Sequence, residues 1–201
     1  MLRFLITIIA IPMFTFAQKD DIQFEYLSSD DGLSSSIVWS ITQDKSGFMW
    51  FGTANGLNKY DGYKFTAYTH NLFDSSGLSD NNITALYTDR FGYIWIGTFA
   101  GGLNRYDPRH DAFVCFRHDP TNQNSISSDC IYAICQDKKG NIWVGTMGGG
   151  INQLVYNPDS LKSENTISTR YYHEPGNQNS SMCRAVVLFQ ALRQGTDLQD
   201  S

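Results

Sequence analysis

The stretch "DRFGYIWIGTFAGGLNRY", from Asp89 to Tyr106, decides the fold, because it occurs in this chain more than once. "DKSGFMWFGTANGLNKY" begins at Asp44 and "DKKGNIWVGTMGGGINQL" at Asp137. Asp44, Asp89 and Asp137 stand 45 and 48 residues apart, and Trp50, Trp95 and Trp143 keep the same spacing. So do Gly47, Gly92 and Gly140, then Gly52, Gly97 and Gly145, then Thr53, Thr98 and Thr146. Upstream, "GLSSSIVWSITQD", "GLSDNNITALYTD" and "NSISSDCIYAICQD" fall in one register, and downstream "YKFTAYTH", "AFVCFRH" and "TRYYH" recur after each glycine cluster. A period of 40 to 50 residues repeated in several columns is the mark of a repeat architecture.

Each unit holds four short runs rich in β-branched and aromatic residues, separated by Gly, Asp, Asn and Ser, which read as four antiparallel strands. In the first unit they run roughly from Ile37 to Gln43, Phe48 to Thr53, Gly56 to Tyr60 and Lys64 to Thr69. Asp-x-x-Gly joins the first two strands: the carboxylate caps the turn and glycine takes the positive φ that a side chain resists. In the second strand the tryptophan shares parity with the Gly two residues on, while Met49 and Phe51, Ile94 and Ile96, or Ile142 and Val144 share the other face. Both faces are therefore apolar or crowded. No long segment has helical periodicity, so the cover on each face must be another copy of the same sheet, and glycine beside the ring lets that copy approach. Burying each indole contributes a few kcal/mol, from about 150 to 250 Å² at about 25 cal/mol/Å², as an upper estimate.

Four-stranded sheets of this length, each packed between two copies, are β-propeller blades. A β-sandwich buries one face of each sheet and shows cleaner alternation. The expected fold is all-β: three four-stranded antiparallel blades over residues 36–78, 79–125 and 126–178. Residues 18–35 are expected to carry an outer strand, Ile22 to Leu27, that closes a ring by completing its last blade. A fourth unit begins at residue 179 with "NSSMCRAVVLFQ", but "ALRQGTDLQDS" follows where Asp-x-x-Gly-x-x-Trp belongs. Residues 179–201 are thus expected to be an incomplete blade of a truncated or frameshifted product.

At the N-terminus, "MLRFLITIIAIPMFTFAQ" places one Arg before an apolar run and small residues before Gln18, the pattern of a secretory signal peptide over residues 1–17. The run is shorter than the ~20 residues of a spanning helix. Export to the periplasm is expected, with no membrane span left after cleavage. The net charge of −5 and the lack of a Lys/Arg cluster argue against nucleic acid as a partner, since phosphate binding relies on concentrated positive charge. Cys115, Cys130, Cys135 and Cys183 show no CxxC spacing. Cys130 and Cys135 fall in one expected strand on opposite faces and cannot pair locally, so small buried apolar residues are their expected role.

The other chemical candidates read as scaffold. His70, His118 and His173 sit at equivalent outer strand ends, too far apart to share one ion, and are expected to be solvated. Gly148-Gly149-Gly150 lacks the Lys-Ser/Thr ending of a phosphate loop and is read as a turn. "SSDDGLSSS" around Asp30 and Asp31 lacks the ligand pattern of a calcium loop and is read as a flexible connection. The spacing departs from that of the sialidase Asp-box, and no carboxylate pair can be assigned. No metal, cofactor or catalytic residue is expected.

The run "ITALYTDRFGYIWIGTFAGGLNRYDP" resembles the repeat of the two-component regulator propeller, with the signature D-x-x-G-x-[IM]-W-[IVF]-G-T three times between Phe24 and about Phe189. The resemblance implies the periplasmic sensor half of a Bacteroidetes hybrid two-component histidine kinase. It implies propellers that detect breakdown products of polysaccharides, and a kinase core acting as a homodimer beyond a membrane helix. The repeat residues are scaffold, so no ligand-binding residue carries over. The expected function is an oligosaccharide-sensing propeller segment that is itself no enzyme, with a fragment of a propeller lyase or glycoside hydrolase as the alternative. The complete parent is expected to bind the sugar and this stretch alone is not.

Overall fold

The computed structural model describes residues 24–74, 76–157 and 167–171. The expected signal peptide and incomplete fourth blade therefore lie outside the described residues, as do Cys183 and His173.

Among the described residues twelve strands form three four-stranded sheets. The first holds β1 (Val38–Gln43), β2 (Met49–Thr53), β3 (Gly56–Tyr60) and β4 (Phe65–Tyr68). The second holds β5 (Ile83–Thr88), β6 (Ile94–Thr98), β7 (Leu103–Asp107) and β8 (Ala112–Phe116), and the third β9 (Ile131–Gln136), β10 (Ile142–Thr146), β11 (Gly150–Val155) and β12 (Ile167–Tyr171). Within each sheet every strand pairs antiparallel with its neighbours in sequence, with no crossover. The sheets are propeller blades. β1 packs against β5 and β5 against β9, so the first strand of each blade is the inner one.

Burial shows how the blades stack. In the middle blade β6 and β7 are buried at every residue. In the first blade Trp50 is fully buried while Met49 and Phe51, on the other face of β2, are only half-buried. In the third blade the reverse holds: Ile142 and Val144 are buried and Trp143 is half-buried. A sheet apolar on both faces is thus covered on both where two neighbours are described, and on one where one is. Two clusters fill the seams, one around Trp50, Leu57, Ile83 and Ile96, the other around Trp95, Leu103, Ile131 and Val144.

Residues 24–28 belong to none of the three described sheets, and Phe24 and Tyr26 are 84% and 92% exposed. The closing strand is expected to complete the last blade of a ring, which is not among the described residues, and Ile22 and Gln23 lie outside them too. Two other expectations change. The segment around Asp30 and Asp31 is a 3-10 turn, Ser29–Asp31, capped by Ser28, whose N–H and hydroxyl both donate to Asp31 Oδ2. Cys130 precedes β9 rather than lying within it; Cys135 is buried and Cys115 half-buried, and none of the three is in a disulfide among the described residues.

Among the described residues no helix is long and apolar enough to cross a membrane.

Candidate functional site

The repeated Asp-x-x-Gly-x-x-Trp is a hydrogen-bonded clip. Asp44 Oδ1 accepts from the N–H of Ser46 at 2.8 Å and of Phe48 at 3.0 Å, and Oδ2 accepts from Trp50 Nε1 at 2.8 Å. Asp89 accepts from the N–H of Phe91 and Tyr93 and from Trp95 Nε1 at 2.9 Å, and Asp137 from the N–H of Asn141 and from Trp143 Nε1, also at 2.9 Å. Gly47, Gly92 and Gly140 take φ of 89°, 90° and 100° in this turn. The fixed distance of six residues between Asp and Trp is explained by one carboxylate that ties the turn with one oxygen and the indole with the other. Burial alone pushes the Asp137 carboxyl up, but hydrogen bonds from Trp143 and Asn141 outweigh it and hold it below the usual carboxylate range.

The indole so fixed is sandwiched. Its own outer strand supplies one ring: Trp50 stacks with Tyr68 at 5.7 Å, Trp95 with Phe116 at 5.6 Å and Trp143 with Tyr171 at 5.6 Å. The following blade supplies another, Tyr106 at 5.1 Å from Trp50 and Tyr156 at 5.0 Å from Trp95. Such centroid distances are those of favourable aromatic pairs. Tyr156 also donates its hydroxyl to Asp89 Oδ2 at 2.5 Å, a direct tie between the second and third blades. Inner strands add two more between the first and second: Leu86 N–H donates to Ser40 Oγ, and the Thr42 and Thr88 hydroxyls meet at 3.0 Å.

Gly52 and Gly97 are closed by the neighbouring blade. A Cβ on Gly52 would lie 2.6 Å from Ile83 Cγ2, and one on Gly97 2.7 Å from Ile131 Cγ2. Thr53, Thr98 and Thr146 donate to the carbonyls of Gly56, Gly102 and Gly150 across the tight β2–β3, β6–β7 and β10–β11 turns.

A second repeating clasp was legible in "GLNKY", "GLNRY" and "GINQL" but had not been singled out. Asn58, Asn104 and Asn152, all fully buried, each accept a backbone N–H and return an amide N–H to a serine hydroxyl in the connection leading into their own blade. The pairs are Asn58 with Ser34, Asn104 with Ser79 and Asn152 with Ser127, at 2.7 to 3.2 Å. This Asn locks the connection between blades to its sheet. Replacing Asn104 by Ala strands the Ser79 N–H, and the expected cost is about 1–3 kcal/mol, read as a lower midpoint in urea at unchanged slope.

The histidines are pinned rather than solvated. His70 and His118 are half-buried, and their Nδ1 atoms meet the carbonyls of Leu78 and Ile126 at 2.7 and 2.8 Å. Their N–H groups donate to Asn81 and Asp129. Strand ends near a long connection have unpaired carbonyls, and the imidazole meets one. Gly148, with φ of 74°, and Gly150, with φ of 75°, form the expected turn.

One surface cleft lies on the rim that carries the Asp-x-x-Gly turns. It holds about 160 Å³ between Ser46, Gly92, Tyr93, Asp107 and Arg109. Burial pushes the Asp107 carboxyl up, but hydrogen bonds from Arg109 and His110 outweigh it and keep it low, so this carboxylate is structurally engaged. No group of His, Cys, Asp and Glu suited to a metal occurs among the described residues.

Comparison with known proteins follows the same repeat. The two-component regulator propeller family matches at residues 32–55, 77–100 and 125–148, each segment running from the connection into a blade to the turn after its second strand. Histidine kinase P4 of Formosa agariphila is 47% identical over 60 residues, 30% of this chain and 4% of that protein. The extracellular domain of a hybrid two-component system from B. thetaiotaomicron superimposes with a TM-score of 0.66 at 32% identity, covering 73% of this chain and 20% of that one. A virginiamycin B lyase from Staphylococcus aureus, bound to quinupristin, aligns with a TM-score of 0.50 over 74% of this chain and 45% of its own, at 16% identity, a likeness of fold alone. The chain spans a small part of the signalling proteins it resembles. With its three matched segments folded as three blades, this chain carries the repeat of the two-component regulator propeller family.

Proposed function

We propose that the chain is a ligand-sensing propeller segment of a hybrid two-component histidine kinase, exported to the periplasm, and that the ligand is an oligosaccharide released from a polysaccharide. The observation that carries the reading is the combination of three family repeats with the fold and 32% identity of the extracellular domain of a hybrid two-component system. The identity to a histidine kinase over one stretch points the same way. Every residue common to the three blades has a packing or hydrogen-bonding role, so the repeat itself supplies scaffold and the ligand is met by residues that differ between blades. The chain acts by binding, without catalysis, and its signal passes to a dimeric kinase core. The likeness to a lyase stops at the fold and adds no chemistry to the alternative of a propeller enzyme.

The test is calorimetry on the complete gene product with oligosaccharides from digested polysaccharides. Saturable heat of binding with one sugar class, and phosphorylation that rises with it, is the expected result. Turnover of the sugar in place of binding would establish the enzymatic alternative.

A further inference from the structure

The three blades are identical where the scaffold needs them to be, so exposed large side chains that break the repeat are left over for another purpose. Each inner strand has a β-bulge at one equivalent place: the register skips between Val38 and Ser40, between Ile83 and Ala85, and between Ile131 and Ala133. The extra residues are Trp39, Thr84 and Tyr132. A bulge turns its side chain away from the ladder, and bulges recur beside functional sites for that reason. At the same end of the blades, the residue after the second strand is Ala54, Phe99 or Met147, whose N–H donates to the carbonyl of Ile37, Asn82 or Cys130 at the head of the inner strand.

Trp39 is 59% exposed, Tyr132 55%, Phe99 48% and Met147 59%. Missing neighbours do not account for Trp39 and Phe99. The equivalent of Trp39 in the second blade, Thr84, donates to the Ile131 carbonyl of the following blade, so this position looks toward the following blade, which for Trp39 is in place. Phe99 belongs to the middle blade, flanked on both sides. Ile41 differs: its equivalent Leu86 lies against Gly52 of the preceding blade, and the exposure of Ile41 is that of an uncovered flank.

The surroundings limit what such a rim can recognise. Residues 34–39, 53–56, 79–84, 98–102, 127–132 and 146–150, which make up this end near the inner strands, contain no Lys, Arg or His. Their two acids are engaged, Asp80 by the N–H groups of Asn82 and Ala100, and Asp129 by that of His118. A carboxylate, sulfate or phosphate would find no counter-charge there. Exposed aromatic faces among amides and hydroxyls suit a neutral ring with one apolar face and a polar edge.

Resting on the sensing role above, we propose that this end of the propeller is a binding platform for a neutral saccharide, with Trp39 and Phe99 as its stacking faces. The bulges place a different residue from each blade at one rim of a constant scaffold.

The test uses the complete gene product and a panel of neutral hexasaccharides (malto-, xylo-, manno- and laminari-) with oligogalacturonate and heparin fragments as acidic members. Trp50 and Trp95 are buried and Trp143 is half-buried, so the Trp39 emission is taken as the difference between the wild type and Trp39→Phe. A neutral sugar is expected to bind and shift that emission, Trp39→Ala and Phe99→Ala each to weaken binding roughly tenfold or more, and Trp39→Phe to retain most of it. Melting temperatures should stay at the wild-type value, since the side chains are exposed. Neutral-sugar binding untouched by these variants overturns the platform and leaves the sensing role standing. Binding of the acidic members alone also overturns it. Absence of any sugar binding overturns both readings, and a change of oligomeric state in Trp39→Ala without loss of sugar affinity makes the rim a protein interface instead.

Discussion

Asp89→Ala is expected to lower stability by about 4 kcal/mol, several times the effect of an ordinary surface change and a large part of the 5–15 kcal/mol that holds a domain together. Asp89 is 2% exposed and accepts four hydrogen bonds, from the N–H groups of Phe91 and Tyr93, from Trp95 Nε1 and from the Tyr156 hydroxyl. Alanine leaves all four donors without their acceptor in a seam water does not reach, at about 1–3 kcal/mol each before relaxation. The same change at Asp44 should cost about half as much. That carboxylate is half-buried, has three such donors and no tyrosine from the next blade, and water can replace it in part. Asp89→Asn should fall between, because its carbonyl oxygen still serves the turn while its amide N–H₂ faces the indole N–H. Midpoints in guanidinium at constant slope rank the three variants. Equal losses at Asp44 and Asp89 would remove the inter-blade tie from the account.

That ranking depends on a contact the sequence hid. The repeat made the blades, their four strands and the burial of the indoles legible, because period, turn chemistry and two-faced apolarity all act locally. The Asp-to-Trp offset of six was in plain view, yet its second meaning was not, since only folded geometry shows one carboxylate reaching both turn and ring. Asn104 and its equivalents were missed for a similar reason: asparagine near glycine reads as turn chemistry, and here it is a buried clasp. The histidines looked like solvated strand ends because the connection that folds back on them has no periodicity to announce it. The bulges that aim Trp39, Thr84 and Tyr132 are invisible to alternation counting, as one extra residue in a strand of six shifts parity without changing composition. What differs between blades, and so bears on recognition, is what a repeat analysis discards.

The stacking of blades makes its sharpest demand at Gly97, and Gly97→Val should cost about 3 kcal/mol or more. Gly97 has no need of positive φ, so backbone strain is not the reason. A Cβ there would stand 2.7 Å from Ile131 Cγ2 and 3.0 Å from Ile131 Cβ, and Ile131 is fully buried in the next blade. Ile131→Ala alone should lose about 2–5 kcal/mol through the cavity it opens. The two substitutions add and remove the same number of carbon atoms at one point of contact, so the double variant should be more stable than the sum of the single losses by about 2 kcal/mol. A helical or sandwiched arrangement of the same strands gives no reason for residues 34 apart in sequence to compensate each other. Additive losses in the double-mutant cycle, measured by chemical denaturation, would therefore count against packing of β6 on β9, whereas compensation ties the glycine column to the approach of successive blades.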